Sequence, residues 1–599
     1  MHTTAAAFLE ALAEAGVSFL FANFGSDHPA LLEALAEAGT NGRPVPAVIT
    51  CPNEMVALSA AHGASLLTGR AEAVLVHVDC GTQALAGAVH NASRARAPVL
   101  IFAGLSPATQ EGELRGSRNE FIHWLQDVPD QRGILRNYVK YENEIRSGRN
   151  AKQITHRAIQ IAESDPKGPV YLTAAREVLE EEVPRTTLDT RLWQPLAPAA
   201  LAEDDLETLI TDLLAAERPL IVTSYLGRNM AAVHALAALV HRLGIGVLES
   251  APSAMNFPTD DPAWQGVYWN EQRQNPALAE ADLVLVIDSD VPWIPRVNHP
   301  AAEARIYHID IDPLKERFPL WYIPARRVFR ADAATALTQI NRCLEWDGRR
   351  FESREETKTG SGMSGGGRSH PALTECQPDA ARIAARHARL ARRHAEHAAR
   401  RAEREQRPAG EITPEYALAA LRPYIDSDTI ILNEAISSYT LVNEHLGPLA
   451  PGSSFSSGAG SLGWHGGAAI GARLARPGKT VIAIAGDGSY LFSVPSTVHW
   501  MARQYKTPFL TLVLNNRGWK SPKLSLLALH PEGHASRANA LGITFDPPPD
   551  YAAIAQAAGG AFAATVRRPE EMETALAGAF CAMREENRAA VIDVWLPHL

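Results

Sequence analysis

The sequence predicts an α/β protein built from three doubly wound, parallel-sheet domains. Short apolar runs of strand length alternate with longer helix-like patterns along all 599 residues, and this alternation is typical of parallel sheets covered by helices. The apolar runs fall into three sets that are separated by segments of different composition. The length, several times that of an ordinary domain, agrees with such a division.

The first set of predicted strands lies in the N-terminal part of the chain. A helix is expected to end at Gly16, and another is expected over 29–39 with Pro29 at its first position. Continuous apolar runs indicate strands that are buried on both faces of a sheet. Such runs occupy 17–23, 46–50, 73–78, 98–104 and 169–175.

Two further sets follow the same pattern. The second consists of predicted strands at 219–225, 244–250, 281–289 and 304–311, with a helix over 229–243. The third consists of predicted strands at 429–435, 480–486, 508–516 and 589–596. We therefore predict an N-terminal domain over 1–190, a central domain over 195–345 and a C-terminal domain over 411–599.

The predicted central and C-terminal domains are joined by residues 346–410. A Gly- and Ser-rich stretch at 360–370 predicts a flexible linker. An Ala-, Arg- and His-rich stretch at 381–406 predicts a basic helix, which either binds a polyanion or partner or serves as a solvated connector. We favour the connector, because one basic helix on an acidic protein says little about binding.

Composition excludes several classes of function. A net charge of −10 argues against a general nucleic-acid binder, which would carry a basic surface. The five cysteines are scattered without a paired spacing, as expected for reduced thiols. The apolar N-terminus is interrupted by Glu10 and Glu14, and no basic segment precedes it, so we do not interpret it as a signal peptide. Because no apolar run has transmembrane length, we expect a cytoplasmic protein that binds neither membrane nor nucleic acid.

A glycine pattern at 458–463 has the form G-x-G-x-x-G. A dinucleotide-binding fingerprint needs a buried strand directly before it and an acid about 20 residues later. The preceding residues, PGSSFSS, do not predict a strand, and position 483 is Ala. We therefore do not predict a nicotinamide site here.

An acid stands between two glycines where a predicted buried strand ends, in the sequence TVIAIAGDGS over 480–489. The start of a helix favours an anion such as phosphate, which Asp487 would repel unless a cation accompanied it. Asn516 follows the next predicted strand, 29 residues later (516 − 487). Since parallel strands end at one edge of the sheet, Asp487 and Asn516 are expected to meet there, and their oxygens suit Mg²⁺.

This arrangement resembles the thiamine-diphosphate motif of the acetolactate synthase, pyruvate decarboxylase and benzoylformate decarboxylase family. The resemblance spans the chain and implies pyrimidine-binding, central and diphosphate-binding domains, with thiamine diphosphate and Mg²⁺ as cofactors. It implies that Mg²⁺ is held by Asp487, by the side chain of Asn516 and by the carbonyl of Gly518. The other cofactor contacts that it implies in this part of the chain are Gly486, Gly488, Ser489 and Ser437.

The resemblance also assigns the glycine pattern and an N-terminal acid. Gly460-Ser-Leu462-Gly463 is similar to the family element that bends the cofactor, with Leu462 as the wedge and the Gly460 carbonyl bonded to the aminopyrimidine. Glu54, in ITCPNE, matches the glutamate that activates the cofactor across a subunit interface. Taken alone, Leu462 would be a core residue and Glu54 a first-turn helix acid.

Candidate substrate residues follow two strands of the predicted N-terminal sheet. Phe24-Gly25-Ser26-Asp27-His28 and His77-Val-Asp-Cys-Gly-Thr82 resemble the benzoylformate decarboxylase pattern, with Gly25 at the cofactor. Ser26 and His77 are the acid/base candidates, and His28 is the alternate. Ser26 or Asp27 could instead cap the helix that begins at Pro29.

The chain departs from its relatives in two places. The histidine pair of pyruvate decarboxylases is missing after 98–104. Four basic residues near the expected site either recognise a second anionic group on the substrate or are ordinary surface charges: Arg115, Arg118, Lys520 and Lys523.

The resemblance implies an enzyme that decarboxylates a 2-oxo acid and transfers the acyl anion equivalent to an aldehyde or ketone acceptor, as an acetolactate synthase-like carboligase does. One alternative is a simple decarboxylase of the benzoylformate type, which releases an aldehyde. Another is a non-catalytic regulatory protein that keeps the fold. The resemblance further implies a homodimer or homotetramer with active sites at the subunit interface.

Overall fold

The computed structural model describes residues 2–352, 379–538 and 541–599. Within these residues the chain forms three parallel six-stranded sheets with flanking helices, so the predicted fold class is confirmed. The predicted linker at 360–370 lies outside the described residues.

Each sheet takes its strands from one region of the chain. The first contains β1 (Phe19–Ala22), β2 (Ala47–Thr50), β3 (Glu72–Val76), β4 (Val99–Leu105), β5 (Tyr141–Glu144) and β6 (Val170–Ala175). The second contains β7 (Pro219–Thr223), β8 (Gly246–Ser250), β9 (Trp264–Tyr268), β10 (Leu283–Ile287), β11 (Arg305–Asp310) and β12 (Arg327–Arg330). The third contains β13 (Thr429–Glu434), β14 (Ser454–Ser456), β15 (Thr480–Gly486), β16 (Leu510–Asn515), β17 (Phe562–Val566) and β18 (Ala590–Trp595).

The helices fill the connections between strands. Around the first sheet they are α1 (Thr4–Glu14), α2 (Pro29–Thr40), α3 (Glu54–Thr68), α4 (Val78–Ala84), α5 (Ala86–Arg94), α6 (Ile122–Leu125), α7 (Ala151–Glu163) and α8 (Arg176–Glu180). The next are α9 (Glu203–Ala215), α10 (Met230–Leu243), α11 (Pro276–Glu280), α12 (Ala333–Glu352) and α13 (Ala380–Arg404). The last are α14 (Pro414–Leu421), α15 (Tyr439–His445), α16 (Trp464–Ala475), α17 (Asp487–Phe492), α18 (Pro495–Gln504), α19 (Lys520–Leu529), α20 (His534–Ala538), α21 (Tyr551–Gly559) and α22 (Met572–Glu585).

Strand order places the crevices that can receive ligands. The orders are β2-β1-β3-β4-β6-β5, β12-β11-β10-β7-β8-β9 and β14-β13-β15-β16-β18-β17. In such sheets ligands bind beyond the carboxyl ends of the strands where the direction of winding reverses. The reversals lie between β1 and β3 in the first sheet and between β13 and β15 in the third.

The described chain separates into two compact units. One contains residues 1–197, 407–439 and 455–599, which include the first sheet and nearly all of the third. The other contains residues 198–406 and 440–454, which include the second sheet and the basic helix α13. The domain boundaries expected from the sequence stay a prediction.

Helices α3 and α16 hold the first and third sheets together by unusually close packing. A Cβ built on Gly471 would lie 1.9 Å from the carbonyl oxygen of Ala60, so only glycine allows this approach. Trp464 Nε1 donates to Nδ1 of the buried His62 at 3.0 Å. Burial lowers the pKa of His62 to about 3, so this imidazole is a neutral acceptor. The position of Glu54, the first residue of α3, is therefore fixed by the packing of that helix against α16.

The basic helix α13 is docked along one face, and its role as a connector stays a prediction. Arg386, only 1% exposed, donates to the carbonyls of Leu213, Leu214 and Ala216 at the end of α9. It also donates to the Leu243 carbonyl at the end of α10, at 2.8 Å. One guanidinium thus satisfies carbonyls at the negative ends of two helix dipoles.

The segment before the glycine pattern and the apolar character of the helices were also predicted from the sequence. The short strand β14 (Ser454–Ser456) precedes the glycine pattern at 458–463, so the expectation of no strand there is wrong. Position 483 nevertheless lies inside β15 and is Ala. No helix among the described residues is long and apolar enough to cross a membrane.

Candidate active site

The first group of candidate residues gathers where β1 and β3 end side by side. The Asn23 amide donates to the Leu75 carbonyl at 2.8 Å, which fixes the two strand ends against each other. A Cβ on Gly25 would lie 2.0 Å from Nδ1 of His77, so the close approach of the Gly25 backbone to His77 requires glycine.

Asp27 joins the two predicted histidines. Its Oδ1 lies 2.5 Å from Nδ1 of His77, and its Oδ2 lies 3.0 Å from Nε2 of His28. The other imidazole nitrogen of His77 lies 2.9 Å from Oε1 of Gln126. His77 is therefore held at both ring nitrogens, while 23% of its side chain stays exposed.

These contacts set the charge of the group. The hydrogen bond to Asp27 raises the pKa of His77 and outweighs the opposing effect of burial. Burial opposes ionisation of Asp27, yet its contacts with His28 and His77 bring the pKa of Asp27 well below its usual value. The arrangement favours a protonated His77 beside an ionised Asp27.

His28 is buried and does not open onto the crevice. Its Nδ1 accepts from the Gly25 amide at 3.0 Å. His28 is also the N-cap residue of α2, and that cap has no side-chain hydrogen bond, so neither Ser26 nor Asp27 caps the helix. His28 thus orients Asp27 and the glycine loop.

Ser26 faces a second histidine that sequence reasoning missed. Ser26 Oγ lies 3.4 Å from Nε2 of the buried His123, and Nη1 of Arg176 lies 3.2 Å from the same nitrogen. Burial and the charge of Arg176 lower the pKa of His123. A neutral imidazole therefore lies behind Ser26.

The four basic residues that were expected either to bind a substrate anion or to be surface charges lie in two different parts of the fold. Arg118 donates to the Pro107 and His123 carbonyls and to Asp127, so its guanidinium is engaged within its own loop. Arg115 pairs with Glu180 at 3.0 Å. Lys520 and Lys523 lie in the first turn of α19, directly after the Asn516 loop.

Glu54 opens α3, and its neighbour Asn53 caps that helix by accepting from the Val56 amide at 3.1 Å. The Glu54 carboxylate therefore has no capping duty. Its Oε1 lies 3.5 Å from the point that a Cβ on Gly81 would occupy, so it approaches α4, the helix that follows His77.

The second group lies where β15 and β16 end, with Gly486 paired to Leu514. Asp487, 2% exposed, accepts from the Gly488 amide at Oδ1 and from the Gly518 amide at Oδ2, both at 2.8 Å. Burial raises the pKa of Asp487 to about 6. The two strand ends are joined by this one carboxylate.

The side-chain oxygen of Asn516 is suited to bind a cation. Its Oδ1 is buried and has no hydrogen-bond partner, which is costly unless something else fills the role. In the adjacent Asn515, by contrast, both side-chain polar atoms have partners, since Nδ2 donates to Asp593 and Oδ1 accepts from the Arg517 amide. A carboxylate and an unpaired amide oxygen at one sheet edge suit Mg²⁺. The described chain contains no cluster of three or more His, Cys, Asp or Glu side chains that could hold a metal ion. The proposed Mg²⁺ site differs from such a cluster, because Asp487 is its one ligand of these residue types.

Glu434, at the end of β13, is a further residue that sequence reasoning missed. Its carboxylate accepts from the amides of Gly463, Trp464 and His465 at 2.6, 3.1 and 2.9 Å. It also lies 2.6 Å from Nδ1 of His465. A buried acid thus holds the start of α16 and the end of the Gly460–Gly463 turn.

The remaining predicted cofactor residues lie around this edge. Ser489 Oγ donates to the Glu434 carbonyl at 3.1 Å. Ser437 is half-buried in the turn after β13, and Leu462 is half-buried, so it is not a core residue. Gly460 is exposed. No hydrogen bond or ion pair in the described chain joins Glu54 to Asp487 or Asn516.

Comparison with known proteins decides the family. Sequence models match for the N-terminal thiamine pyrophosphate binding domain (residues 2–134), the central domain (206–337) and the C-terminal thiamine pyrophosphate binding domain (435–594). The chain belongs to the thiamine pyrophosphate enzyme family. It is therefore a thiamine-diphosphate-dependent enzyme of the lyase and transferase type, and the predicted resemblance is confirmed.

Similar proteins include both decarboxylases and synthases. Benzoylformate decarboxylase of Pseudomonas aeruginosa is 26% identical over 86% of this chain and 86% of its own. Probable acetolactate synthase 2 of Oryza sativa is 25% identical over 90% of this chain and 75% of its own. The thiamine diphosphate-dependent 4-hydroxybenzoylformate decarboxylase of Rhodococcus jostii superposes with a TM-score of 0.74 at 21% identity, covering 100% of this chain and 99% of that structure.

Proposed function

We propose that the enzyme converts a 2-oxo acid into carbon dioxide and the corresponding aldehyde. The observation that carries this proposal is the His77 imidazole, held by Asp27 and Gln126 beyond the ends of β1 and β3 with a raised pKa. A positioned imidazole whose pKa is raised keeps its proton to higher pH and can act as a general acid. Proton delivery is the step that makes an aldehyde.

The C-terminal residues fit the cofactor. Asp487 and Asn516, with the carbonyl of Gly518, would hold Mg²⁺, because an orphaned buried oxygen and a buried carboxylate lie at one strand edge. Gly488 and Ser489, at the start of α17, would bind the diphosphate. Thiamine diphosphate, when bound, supplies the electron sink that permits loss of the carboxylate.

The chain's own residues would then manage protons and orientation. Glu54 would hold the proton that is exchanged with the aminopyrimidine, and its helix is fixed by close packing on α16. Ser26 would bind the substrate carboxylate through its hydroxyl. His77 would give up the proton on Nε2, the nitrogen that faces Gln126 and not Asp27. Arg118 would play no part in substrate binding, because its donors are used within its loop.

The second candidate function is transfer of the acyl anion equivalent to a carbonyl acceptor, which is the function that the sequence resemblance favoured. It is supported by similarity to the probable acetolactate synthase of Oryza sativa. A protonated imidazole in the crevice favours the proton over a carbonyl acceptor, and for this reason we rank simple decarboxylation higher.

We also propose that the active site is completed by a second copy of the chain, in a homodimer or homotetramer. The Glu54 and Asp487 groups make no hydrogen bond with each other within the described chain. Large apolar side chains are exposed near the carboxyl edges of the first and third sheets, as expected of a surface that becomes buried on association: Phe121, Leu125, Phe492 and Trp519.

The test is a panel of 2-oxo acids, including pyruvate and benzoylformate, supplied with thiamine diphosphate and Mg²⁺. Carbon dioxide and carbon-containing products are both quantified, with and without aldehyde acceptors. The proposal expects equal amounts of carbon dioxide and aldehyde from at least one donor, and loss of both in Glu54→Gln. Carbon dioxide accompanied mainly by a C–C coupled product would establish the carboligase. Neither product from any donor would contradict the proposal.

A further inference from the structure

The basic helix α13 forms one wall of a cavity that the proposed reaction does not use. The opposite wall is edge strand β9 together with the residues that lead into α11. The cavity has a volume of about 370 Å³, which suits a small molecule. Rings of Trp264 and His397 meet across it, with centroids 6.3 Å apart.

Positive charge dominates the lining. Five arginines face the cavity, against the two carboxyl groups of Glu396 and Glu444: Arg273, Arg393, Arg400, Arg401 and Arg404. Arg393 is paired with Glu280, and Arg401 donates to the Glu444 carbonyl at 3.2 Å.

Two of the arginines have unused donors. Across residues 2–352, 379–538 and 541–599, the guanidinium groups of Arg273 and Arg400 make no hydrogen bond or ion pair, and both residues are exposed. They approach from different elements, since Arg273 precedes α11 and Arg400 lies on α13. Two unpaired forks directed at one cavity are a feature of anion recognition.

The acidic residues only partly offset the positive charge of the cavity lining. Burial raises the pKa of Glu444 to about 7, despite the nearby charges of Arg404, Arg273 and Arg401, with Glu271 acting in the same direction as burial. Glu444 therefore carries less than a full negative charge at neutral pH. Burial lowers the pKa of His397, and Arg400, His394 and Arg273 lower it further, as expected in a positive local potential.

We propose that this cavity binds the phosphate groups of a small phosphorylated molecule. A phosphate carries up to two charges on oxygens that point in several directions, so it can accept from guanidinium forks on both walls at once. A carboxylate carries one charge on a planar pair of oxygens and satisfies one fork. The docked α13 helix, anchored by Arg386, is thereby the scaffold of a binding site.

The test measures binding of inorganic pyrophosphate to the holoenzyme, loaded with thiamine diphosphate and Mg²⁺ and freed of excess ligand. Calorimetry would compare the wild type with Arg273→Gln and Arg400→Gln. Arg392→Gln is the matched control, because Arg392 is exposed on the same helix and outside the cavity lining. Citrate serves as a carboxylate probe of similar charge.

The proposal expects saturable pyrophosphate binding that is at least tenfold weaker in each cavity variant and unchanged in Arg392→Gln. It also expects citrate to bind at least tenfold more weakly than pyrophosphate. Absence of binding at millimolar pyrophosphate, or equal binding by the wild type and both cavity variants, would overturn it. Citrate binding as tight as pyrophosphate would overturn the choice of phosphate. None of these outcomes depends on catalytic turnover.

Discussion

Nδ1 of His77 lies 2.5 Å from Oδ1 of Asp27, and this contact bridges the ends of the two strands between which the first sheet reverses its winding. The pair places a basic group and its charge partner at the point where an α/β sheet receives ligands. Because Asp27 also touches His28, one buried carboxylate orients both predicted histidines.

Asp27→Asn is predicted to lower the pKa of His77, because the hydrogen bond that raises it most is lost while burial remains. If His77 acts as the proton donor, the alkaline limb of the pH–kcat profile moves to lower pH. Histidine NMR titration and the rate profile measure the two effects. Asp130→Asn, an exposed carboxyl of the same domain, is the control. An unmoved His77 titration would refute the coupling.

The same pair predicts a pH window for stability. The stabilisation of His77 is complete below its ordinary pKa of 6.5 and is lost as pH rises through its higher folded value. That of Asp27 is present above its ordinary pKa of 3.8 and is lost as pH falls towards its lower folded value. Asp27→Asn should therefore destabilise the protein most between about pH 4 and 6.5, as followed by thermal unfolding. A pH-independent difference would contradict this assignment.

Glu434→Gln is predicted to loosen the turn that precedes α16. The amide offers one acceptor oxygen where a carboxylate now accepts from three backbone amides and faces His465. We expect the free energy of unfolding to fall by about 3 kcal/mol, since buried donors are left unpaired. Urea denaturation measures the change, and Glu573→Gln, an exposed acid in the first turn of α22, is the control. Equal losses in the two variants would show that Glu434 has no special role.

Two adjacent asparagines are predicted to behave oppositely when changed to leucine. Asn516→Leu removes an oxygen that has no partner, so the cofactor-free protein should be at least as stable as the wild type, while Mg²⁺ no longer strengthens thiamine diphosphate binding. Asn515→Leu breaks two hydrogen bonds and should cost about 2 kcal/mol. Thermal unfolding with EDTA, and then with Mg²⁺ and cofactor, separates the effects. Retained Mg²⁺ dependence in Asn516→Leu would exclude it as a ligand.

Gly471→Ala is predicted to destabilise the contact between α3 and α16. The added Cβ would lie 1.9 Å from the Ala60 carbonyl oxygen, so the helices must separate at a cost of about 1–3 kcal/mol. Gly478→Ala is the matched control, because nothing lies within 4 Å of its added Cβ. Denaturant midpoints for the two variants give the comparison, and identical midpoints would contradict the close packing.

The strands that sequence patterns predicted are mostly those inside the sheets. Continuous apolar runs located β3, β4, β10 and β15, because a strand buried on both faces must be apolar throughout. The strands without a prediction are all at sheet edges: β5, β9, β12, β14 and β17. Several carry polar residues, as in YENE and RVFR, because one side of an edge strand meets solvent.

Candidate site residues were predictable where they lie at the ends of apolar strands, and not where they lie in loops. Asp487, Asn516 and His77 stand at the carboxyl ends of predicted central strands, so their place at a sheet edge could be inferred. Gln126 and His123 lie in the long connection after β4, where no period marks which side chain turns inward. Glu434 lay near the end of the predicted strand 429–435, and an acid at that position was the available signal.

The central claim is that His77 delivers the proton that releases an aldehyde. The most direct test is the ratio of aldehyde to carbon dioxide formed from one accepted 2-oxo acid by the wild type and by His77→Ala, in the presence of an aldehyde acceptor. We predict a ratio near one for the wild type, and in His77→Ala slower aldehyde release with diversion of carbon into coupled product. An unchanged rate and ratio in His77→Ala would contradict the account.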